Sequence, residues 1–251
     1  METLFMDDDC IVVNKAPGES VEPVSSPAMT DLPRLLGERL GGPVFAVHRL
    51  DVPVSGCVLF ARTREARSFL GRAFAEHSEG EGGSGPVKKI YRAVTEMPRG
   101  EMPSGGELVH WIRAGVTKSA AFDQAGPGRK RAALRYRIAG RGDRYLFLEI
   151  ELLTGRRHQI RAQLARLGLH IKGDLKYGAR RSEKGGGIRL HAYSLSFPSL
   201  KTGETLTVCA PFPPSVPGGL PDALWSAFEE AAGTRTDFPS PPMPPDVPPV
   251  F

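Results

Sequence analysis

Asp51 is the residue of this chain best placed for chemistry, in the segment His48-Arg49-Leu50-Asp51. The apolar run at residues 56–61 (GCVLFA) is typical of a buried strand, so the carboxylate lies on a loop that leads into a rigid element. Such loops often carry catalytic groups. An aspartate in this position is nevertheless more often a turn or capping residue, so Asp51 needs further support from other segments.

A second segment, TGRRHQIR at residues 154–161, concentrates cations and amide donors. Thr154 resembles a helix cap, and Ile160 has the spacing of a residue on a core-facing helical stripe. In such a helix Arg157 and Arg161 form an i, i+4 pair on one face. The start of this helix is a candidate anion site. The alternative is a basic helix end that faces solvent and binds no ligand, because it would have the same residue composition.

The charge of the chain favours an anionic partner only weakly. The 251 residues carry a net charge of +5, and the pI is near 9.2. The distribution is more informative, because residues 156–181 contain eight Lys or Arg residues against a single acid, Asp174. This run could form a phosphate-facing surface, and it could equally form a solvated basic face.

The pattern of apolar residues predicts an α+β fold with a mostly antiparallel sheet. Strands are predicted at residues 10–13, 56–61, 89–95, 188–197 and 205–210, with a hairpin across residues 132–152. Helices are predicted after Thr63, which serves as N-cap, and at residues 158–167 and 221–232. Gly168 is placed to end the middle helix. We expect one catalytic domain at residues 1–233 and an extended proline-rich tail at residues 234–251.

The three cysteines are far apart and suggest neither a disulfide framework nor a metal pair. The acidic N-terminus lacks the basic and apolar regions of a signal peptide. No apolar stretch approaches the roughly 18 residues that span a bilayer. We therefore expect a soluble cytoplasmic protein that does not bind membranes.

Four ordered motifs resemble those of the RluA-type pseudouridine synthases: HRLDVPVSGCVLFART, KIYRAV, LLTGRRHQIRAQLARLGLHIKGDLKYG and RLHAYSLSFP. The opening MDDDCIVVNKAPGESVEP is also similar to the start of that family. The match runs from about Met6 to Pro213. The resemblance implies the pseudouridine synthase catalytic fold, a mixed and mostly antiparallel sheet with flanking helices. It also implies RNA, either rRNA or tRNA, as the partner.

The resemblance assigns functional positions one at a time. The catalytic aspartate falls on Asp51, the tyrosine of a K-x-Y motif on Tyr91, and the basic residue that ends TGRxHQIR on Arg161. Arg49 falls on the arginine that, in family members, enters the RNA duplex where the target base was. We expect further polar and basic residues near the motifs to contact RNA, namely His48, Arg156, Arg157, His158, Lys172 and Lys176.

Three departures from the family pattern are visible. Val54 stands where the family commonly has threonine, which removes no proposed catalytic group. The segment at residues 78–86 lengthens the loop before Tyr91. Only 47 residues precede His48, so we expect no S4-like RNA-binding domain, and the choice of RNA is left open.

The chemistry implied by the resemblance breaks the C1′–N1 bond of uridine, rotates the base and joins C1′ to C5. Asp51 could trap positive character at C1′, or it could take the C2′ proton to give a glycal. Arg161 would offset the burial of the carboxylate. Tyr91 would stack on uracil and help to remove the C5 proton. No metal or other cofactor is required.

Two other classes of function stay open at this point. A non-catalytic RNA-binding protein would keep the fold and bind RNA without using Asp51. A hydrolase of glycosidic bonds would need a second positioned acid, and the sequence places none beside Asp51. We expect no obligate protein partner and a monomer, and we expect the tail beyond Phe238 to be dispensable for catalysis.

Overall fold

The computed structural model describes residues 1–24, 29–79, 85–98, 100, 102–183, 186–213 and 223–232. Within this part of the chain, the strands join in one mixed sheet. Their bounds are β1 (Glu2–Met6), β2 (Cys10–Lys15), β3 (Phe45–Ala46), β4 (Ser55–Ala61), β5 (Lys88–Glu96), β6 (Gly105–Arg113), β7 (Ala120–Phe122), β8 (Lys130–Arg141), β9 (Tyr145–Leu152), β10 (Leu190–Pro198) and β11 (Thr205–Cys209).

The sheet follows the order β1-β2-β4-β10-β5-β9-β8-β6-β7, with β11 paired to β10 and β3 paired to β4. The pairing of β10 with β4 is parallel, and every other strand pairing described is antiparallel. The predicted α+β class and mostly antiparallel sheet are confirmed. Strands β4, β10 and β5 lie side by side near the centre; Asp51 precedes β4, and Tyr91 lies within β5.

The helices within the described residues are α1 (Leu32–Leu40), α2 (Arg64–Glu79), α3 (Gln159–Arg166) and α4 (Ala223–Ala232), with a 3₁₀ turn at Leu175–Tyr177. The predicted cap of α2 is confirmed, because Thr63 Oγ1 accepts a hydrogen bond of 3.0 Å from the amide of Ala66. The predicted end of α3 is also confirmed, since Gly168 has a φ of 74° that glycine adopts without strain.

Alternate residues of the strands supply two hydrophobic cores on opposite faces of the sheet. Ile11 and Val13 of β2 pack with the core that contains α1 and α3. Cys10 and Val12 pack with the core that contains α2. Helix α4 covers a third cluster around Phe147. Helices α2 and α3 therefore pack on opposite faces of the sheet.

Within the described ranges, no helix is both long enough and apolar enough to cross a membrane. The predicted proline-rich tail at residues 234–251 lies outside the described residues, so the predicted domain boundary stays a prediction. Five strands and helices that the sequence did not indicate are β1, β3, β6, β7 and α1. Helix α1 begins after Asp31, whose side chain accepts a hydrogen bond from the amide of Arg34, and it ends at Gly41 with a φ of 69°.

Candidate active site

The loop that carries Asp51 connects β3 to β4, and Lys15 binds its backbone. The ammonium group of Lys15 is completely buried and donates to the carbonyls of Val52 and Val54 at 3.0 and 2.6 Å. The amide of Val54 donates in turn to the carbonyl of Asp51 at 2.9 Å. Val54, which departs from the family pattern, has a buried side chain. The backbone that follows the catalytic candidate is therefore fixed.

Asp51 and Asp174 share one guanidinium group. Arg161 Nη1 donates to Asp51 Oδ2 at 2.9 Å, while its Nε and Nη2 bind both oxygens of Asp174 at 2.7 and 2.8 Å. Burial alone would lower the pKa of Arg161, but its bonds to Asp174 and Asp51 outweigh burial and raise it. Arg161 thus supplies the counter-charge for an ionised Asp51, and Asp174 fixes the orientation of the guanidinium plane.

The interpretation of residues 154–161 as one helical start is wrong in two details. Helix α3 begins only at Gln159, because His158 has a left-handed backbone with a φ of 54°. Thr154 is not its cap; its hydroxyl binds the side chain of Gln159 at 2.8 Å. Arg157 precedes the helix, so it does not share a face with Arg161. Its guanidinium donates instead to the carbonyls of Gly115 and Val116.

His158, at the end of the segment that precedes α3, lies beside Asp51. Its Nε2 lies 3.7 Å from Asp51 Oδ2, and its Nδ1 lies 2.9 Å from the hydroxyl of Tyr177. That hydroxyl also accepts from the amide of Ser119 at 2.8 Å and donates to the Ser119 carbonyl at 3.0 Å. Burial lowers the pKa of His158 to about 4, although the charge of Asp51 acts in the opposite direction. His158 is therefore a neutral ring beside a carboxylate.

Asp51, Tyr91, His158 and Arg161 line a cavity of about 340 Å³. Burial, with a smaller effect of the Asp51 charge, raises the pKa of Tyr91, so its hydroxyl stays protonated. Most of the remaining wall is apolar and comes from Leu50, Val54, Phe74, Leu152, Ile160 and Leu190. A cavity of this size and composition fits one nucleotide with its base.

Lys89 lines the same cavity and shares a face of β5 with Tyr91. Its ammonium lies 4.8 Å from the centre of the Phe74 ring. Burial lowers the pKa of Lys89 to about 8. His48 stacks on the same ring, with centroids 5.1 Å apart, and its Nε2 accepts from the amide of Leu59 at 3.1 Å. His48 therefore supports the wall of the cavity with a ring nitrogen already bonded to the backbone.

Three of the predicted RNA-binding residues lie at the rim of this cavity. Arg49 is exposed and pairs with Glu22 at 2.6 Å. Arg156 donates through Nε to the carbonyl of Arg131 at 3.1 Å. Arg157 is held by the two carbonyls described above. These three arginines therefore line the same cavity as Asp51, each with its own partner in the protein.

The two lysines predicted to bind RNA lie apart from the cavity. Lys176 is exposed and donates to the carbonyl of Thr117 at 3.1 Å. Lys172 forms an ion pair with Glu183 and lines a separate depression that also includes Arg180 and Arg181. The basic run at residues 156–181 is therefore split between two surfaces.

Asp174, Tyr177, Lys15 and Lys89 are part of the site, yet the sequence pointed to none of them directly. Asp174 was the single acid in a basic run, which is a signal for a paired carboxylate. Lys15 and Lys89 are lysines within apolar strands, where an unpaired charge is costly. Within the described ranges, no group of three or more His, Cys, Asp and Glu residues could hold a metal ion.

Comparison with known proteins agrees with this geometry. Residues 9–166 match the family described as RNA pseudouridylate synthase. The chain therefore belongs to the RNA pseudouridylate synthase family. It is 32% identical over 228 residues to an uncharacterised RNA pseudouridine synthase of Synechocystis, a match that covers 86% of this chain and 74% of the relative.

Two further relatives have names that state a substrate. The tRNA pseudouridine synthase C of Haemophilus ducreyi is 28% identical over 259 residues, covering 95% of this chain and 98% of the relative. The ribosomal large subunit pseudouridine synthase D of Neisseria meningitidis is 28% identical over 241 residues, covering 86% of this chain and 59% of the relative. The chain is accordingly an RNA-modifying isomerase of the RluA type.

Solved structures show the same fold. Human RNA pseudouridylate synthase domain containing 1 has a TM-score of 0.66 at 24% identity, covering 93% of this chain and 95% of that one. Human RNA pseudouridylate synthase domain containing 4 also has a TM-score of 0.66, at 21% identity, covering 92% of each chain.

Proposed function

We propose that Asp51 is the catalytic carboxylate of this isomerase and acts on a uridine turned out of a folded rRNA or tRNA. The observation that carries the proposal is the shared guanidinium: Arg161 holds Asp51 in the wall of a nucleotide-sized cavity and is itself held by Asp174. Preorganised charge of this kind stabilises a transition state without reorganisation.

The reaction is an isomerisation, so its atoms balance within the substrate. The C1′–N1 bond breaks with its electron pair on N1, the base rotates, and C5 bonds to C1′. The C5 proton is lost and N1 gains a proton. Asp51 can bond to C1′ in this sequence or remove the C2′ proton, and its position is compatible with both courses. Tyr91, protonated and in the cavity wall, offers a flat face for the base.

The rim of the cavity supports delivery of the base. Base extrusion costs a few kcal/mol, which contacts to the opened RNA must offset. Arg49 is exposed, and Arg49, Arg156 and Arg157 all line the cavity. We propose that Arg49 fills the space that the base leaves in the RNA, while Arg156 and Arg157 hold phosphates. We further propose that the enzyme acts as a cytoplasmic monomer.

A hydrolase that cleaves glycosidic bonds is not favoured by this site. Such enzymes need a second carboxyl group free to donate a proton or to activate water. Asp174 is the carboxylate nearest to this role, and both of its oxygens are bound by Arg161. It acts as a positioning residue rather than as a second acid.

The test is a map of pseudouridines in total RNA from cells that carry the wild-type gene, a deletion, Asp51→Asn or Asp123→Asn. We expect one or more uridines to lose their modification in the deletion and in Asp51→Asn, with the rate for purified protein reduced by roughly a thousandfold or more. Asp123 is a matched control, because it is an exposed aspartate that pairs with Arg166 of the same helix α3.

Retained modification in Asp51→Asn would exclude Asp51 as the catalytic group. Loss of modification in Asp123→Asn as well would indicate that removing either carboxylate paired with α3 abolishes activity. Asp51 would then not be singled out as the catalytic group. An RNA pattern that is unchanged in the deletion, together with RNA binding by purified protein, would favour a non-catalytic RNA-binding protein.

A further inference from the structure

The protonation state of the His158 ring follows from its hydrogen bonds. The hydroxyl of Tyr177 has one proton to donate and two lone pairs to accept with. It donates to the carbonyl of Ser119 and accepts from the amide of Ser119. The remaining contact of this hydroxyl is with His158 Nδ1, 2.9 Å away. All three contacts of this hydroxyl are satisfied together when its proton goes to the Ser119 carbonyl and Nδ1 carries the hydrogen of the bond to His158, so we assign the hydrogen to Nδ1.

A neutral ring with hydrogen on Nδ1 has a free lone pair on Nε2. Nε2 lies 3.7 Å from Asp51 Oδ2. Two acceptors therefore face the same space in the cavity wall, and neither can donate to the other. The low pKa of His158, which burial lowers to about 4, agrees with a ring that stays neutral. Within the described residues Nε2 accepts no hydrogen bond, so a hydroxyl group of a molecule bound in the cavity can donate to it.

The backbone of His158 indicates that its position is maintained at a cost. A φ of 54° is uncommon for a residue other than glycine. Among the described residues other than glycine, only His158 has a positive φ. Such backbone strain is retained where the surrounding structure requires one orientation. Here the orientation directs Nε2 at the carboxylate of Asp51, which we propose acts on the ribose.

We propose that His158 Nε2 accepts a hydrogen bond from the ribose 2′-hydroxyl of the target nucleotide and so selects RNA over DNA. The proposal rests on the proposed role of Asp51. A carboxylate that acts on C1′ or C2′ lies next to the 2′-hydroxyl, because that group is attached to C2′. The 2′-hydroxyl is the group by which proteins distinguish RNA from DNA at a given site.

The experiment combines two substrates with three proteins. The substrates are the mapped RNA with uridine at the target position and the same RNA with 2′-deoxyuridine at that position alone. The proteins are wild type, His158→Asn and His158→Gln. Asparagine tolerates the left-handed backbone but is too short to place an acceptor where Nε2 lies. Glutamine can return an acceptor close to that position.

We expect wild type to favour uridine over 2′-deoxyuridine by about tenfold or more in single-turnover rate. His158→Asn should lower the rate on uridine more than the rate on 2′-deoxyuridine, by about this factor, so that the preference is lost, and His158→Gln should recover part of the preference. If 2′-deoxyuridine does not turn over, the same comparison is made as Kd with each His158 side chain in an Asp51→Asn background.

A purely structural role for His158 would lower both rates, or both affinities, by the same factor and leave the preference intact. That result would overturn the inference. Absence of pseudouridine formation by wild type on every RNA would instead contradict the proposed function, so the two failures are distinguishable.

Discussion

Lys15 and Lys89 lie on two strands of the same sheet, and burial lowers the pKa of each ammonium group to about 8. The surroundings of the two groups differ. Lys15 donates to three backbone carbonyls, those of Ala16, Val52 and Val54, at 2.6 to 3.0 Å. Lys89 has no hydrogen-bond acceptor among the described residues; its ammonium lies over the Phe74 ring and borders the cavity.

Two lysines with equal pKa shifts can therefore have different roles, one structural and one in ligand binding. The three carbonyls replace the water that Lys15 loses on folding, so this cation binds the Asp51 loop to the end of β2. For Lys89 the ring face replaces only part of the lost hydration. Its remaining hydrogen-bonding capacity is directed at the space where we place the nucleotide. The partners of a buried charge, more than its pKa, thus separate a structural lysine from a ligand-binding one.

The largest effect on stability is expected for Lys15→Met. Three carbonyls would lose a charged donor, and two of them, those of Val52 and Val54, lie in the Asp51 loop. We expect the free energy of unfolding to fall by about 3 kcal/mol or more and turnover to fall with it. Urea unfolding at pH 7 measures the first effect and pseudouridine formation the second. Lys201→Met is the control, because Lys201 is exposed and pairs only with Asp8. Unchanged stability of Lys15→Met would remove the distinction between the two lysines.

For Lys89→Met we expect the free energy of unfolding to increase rather than decrease. Removing a buried cation without a described acceptor relieves its desolvation, so the free energy of unfolding at pH 7 should rise by up to about 3 kcal/mol. Turnover should nevertheless fall by roughly tenfold or more, since one charged contact to the bound nucleotide is lost. The same urea and turnover assays apply. A loss of stability comparable to that of Lys15→Met would show that Lys89 is also a structural cation.

Local patterns in the sequence were sufficient for most of the fold. Alternating residues in β8 and β9 predicted the hairpin, and Thr63 and Gly168 marked helix ends, because these features depend on neighbours along the chain. Helix α1 was missed because its sequence LPRLLGERL contains a proline and a glycine. Its signals were Asp31 as N-cap and Gly41 at the end, and neither is prominent without the fold.

The site was less predictable because its contacts join distant segments. Asp51 lies 110 positions from Arg161, and only the family resemblance linked them. The error at Arg157 arose from one torsion: the left-handed backbone of His158 delays the helix, and no rule of residue spacing anticipates it. Asp174 and Lys89 depend on tertiary burial, which composition does not reveal.

The most specific effect is the pH dependence of the difference in unfolding free energy between wild type and Lys89→Met. Below about pH 8, Lys89 is protonated in the folded and unfolded states, and its burial penalty is fully present. Between about pH 8 and its unfolded value near 10.5, only the unfolded state holds the proton. Wild-type stability then rises with pH relative to the variant, by about 1.4 kcal/mol per pH unit.

The stability gain of Lys89→Met should therefore shrink across this pH window and be absent above it. Other groups cancel, because they occur in both proteins. Urea unfolding of the two proteins at pH 7, 8, 9 and 10 measures the difference directly. A difference that stays constant from pH 7 to 10 would mean that Lys89 keeps its ordinary pKa and is solvated. Lys89 and Lys15 would then share a location in the sheet but not a lowered pKa.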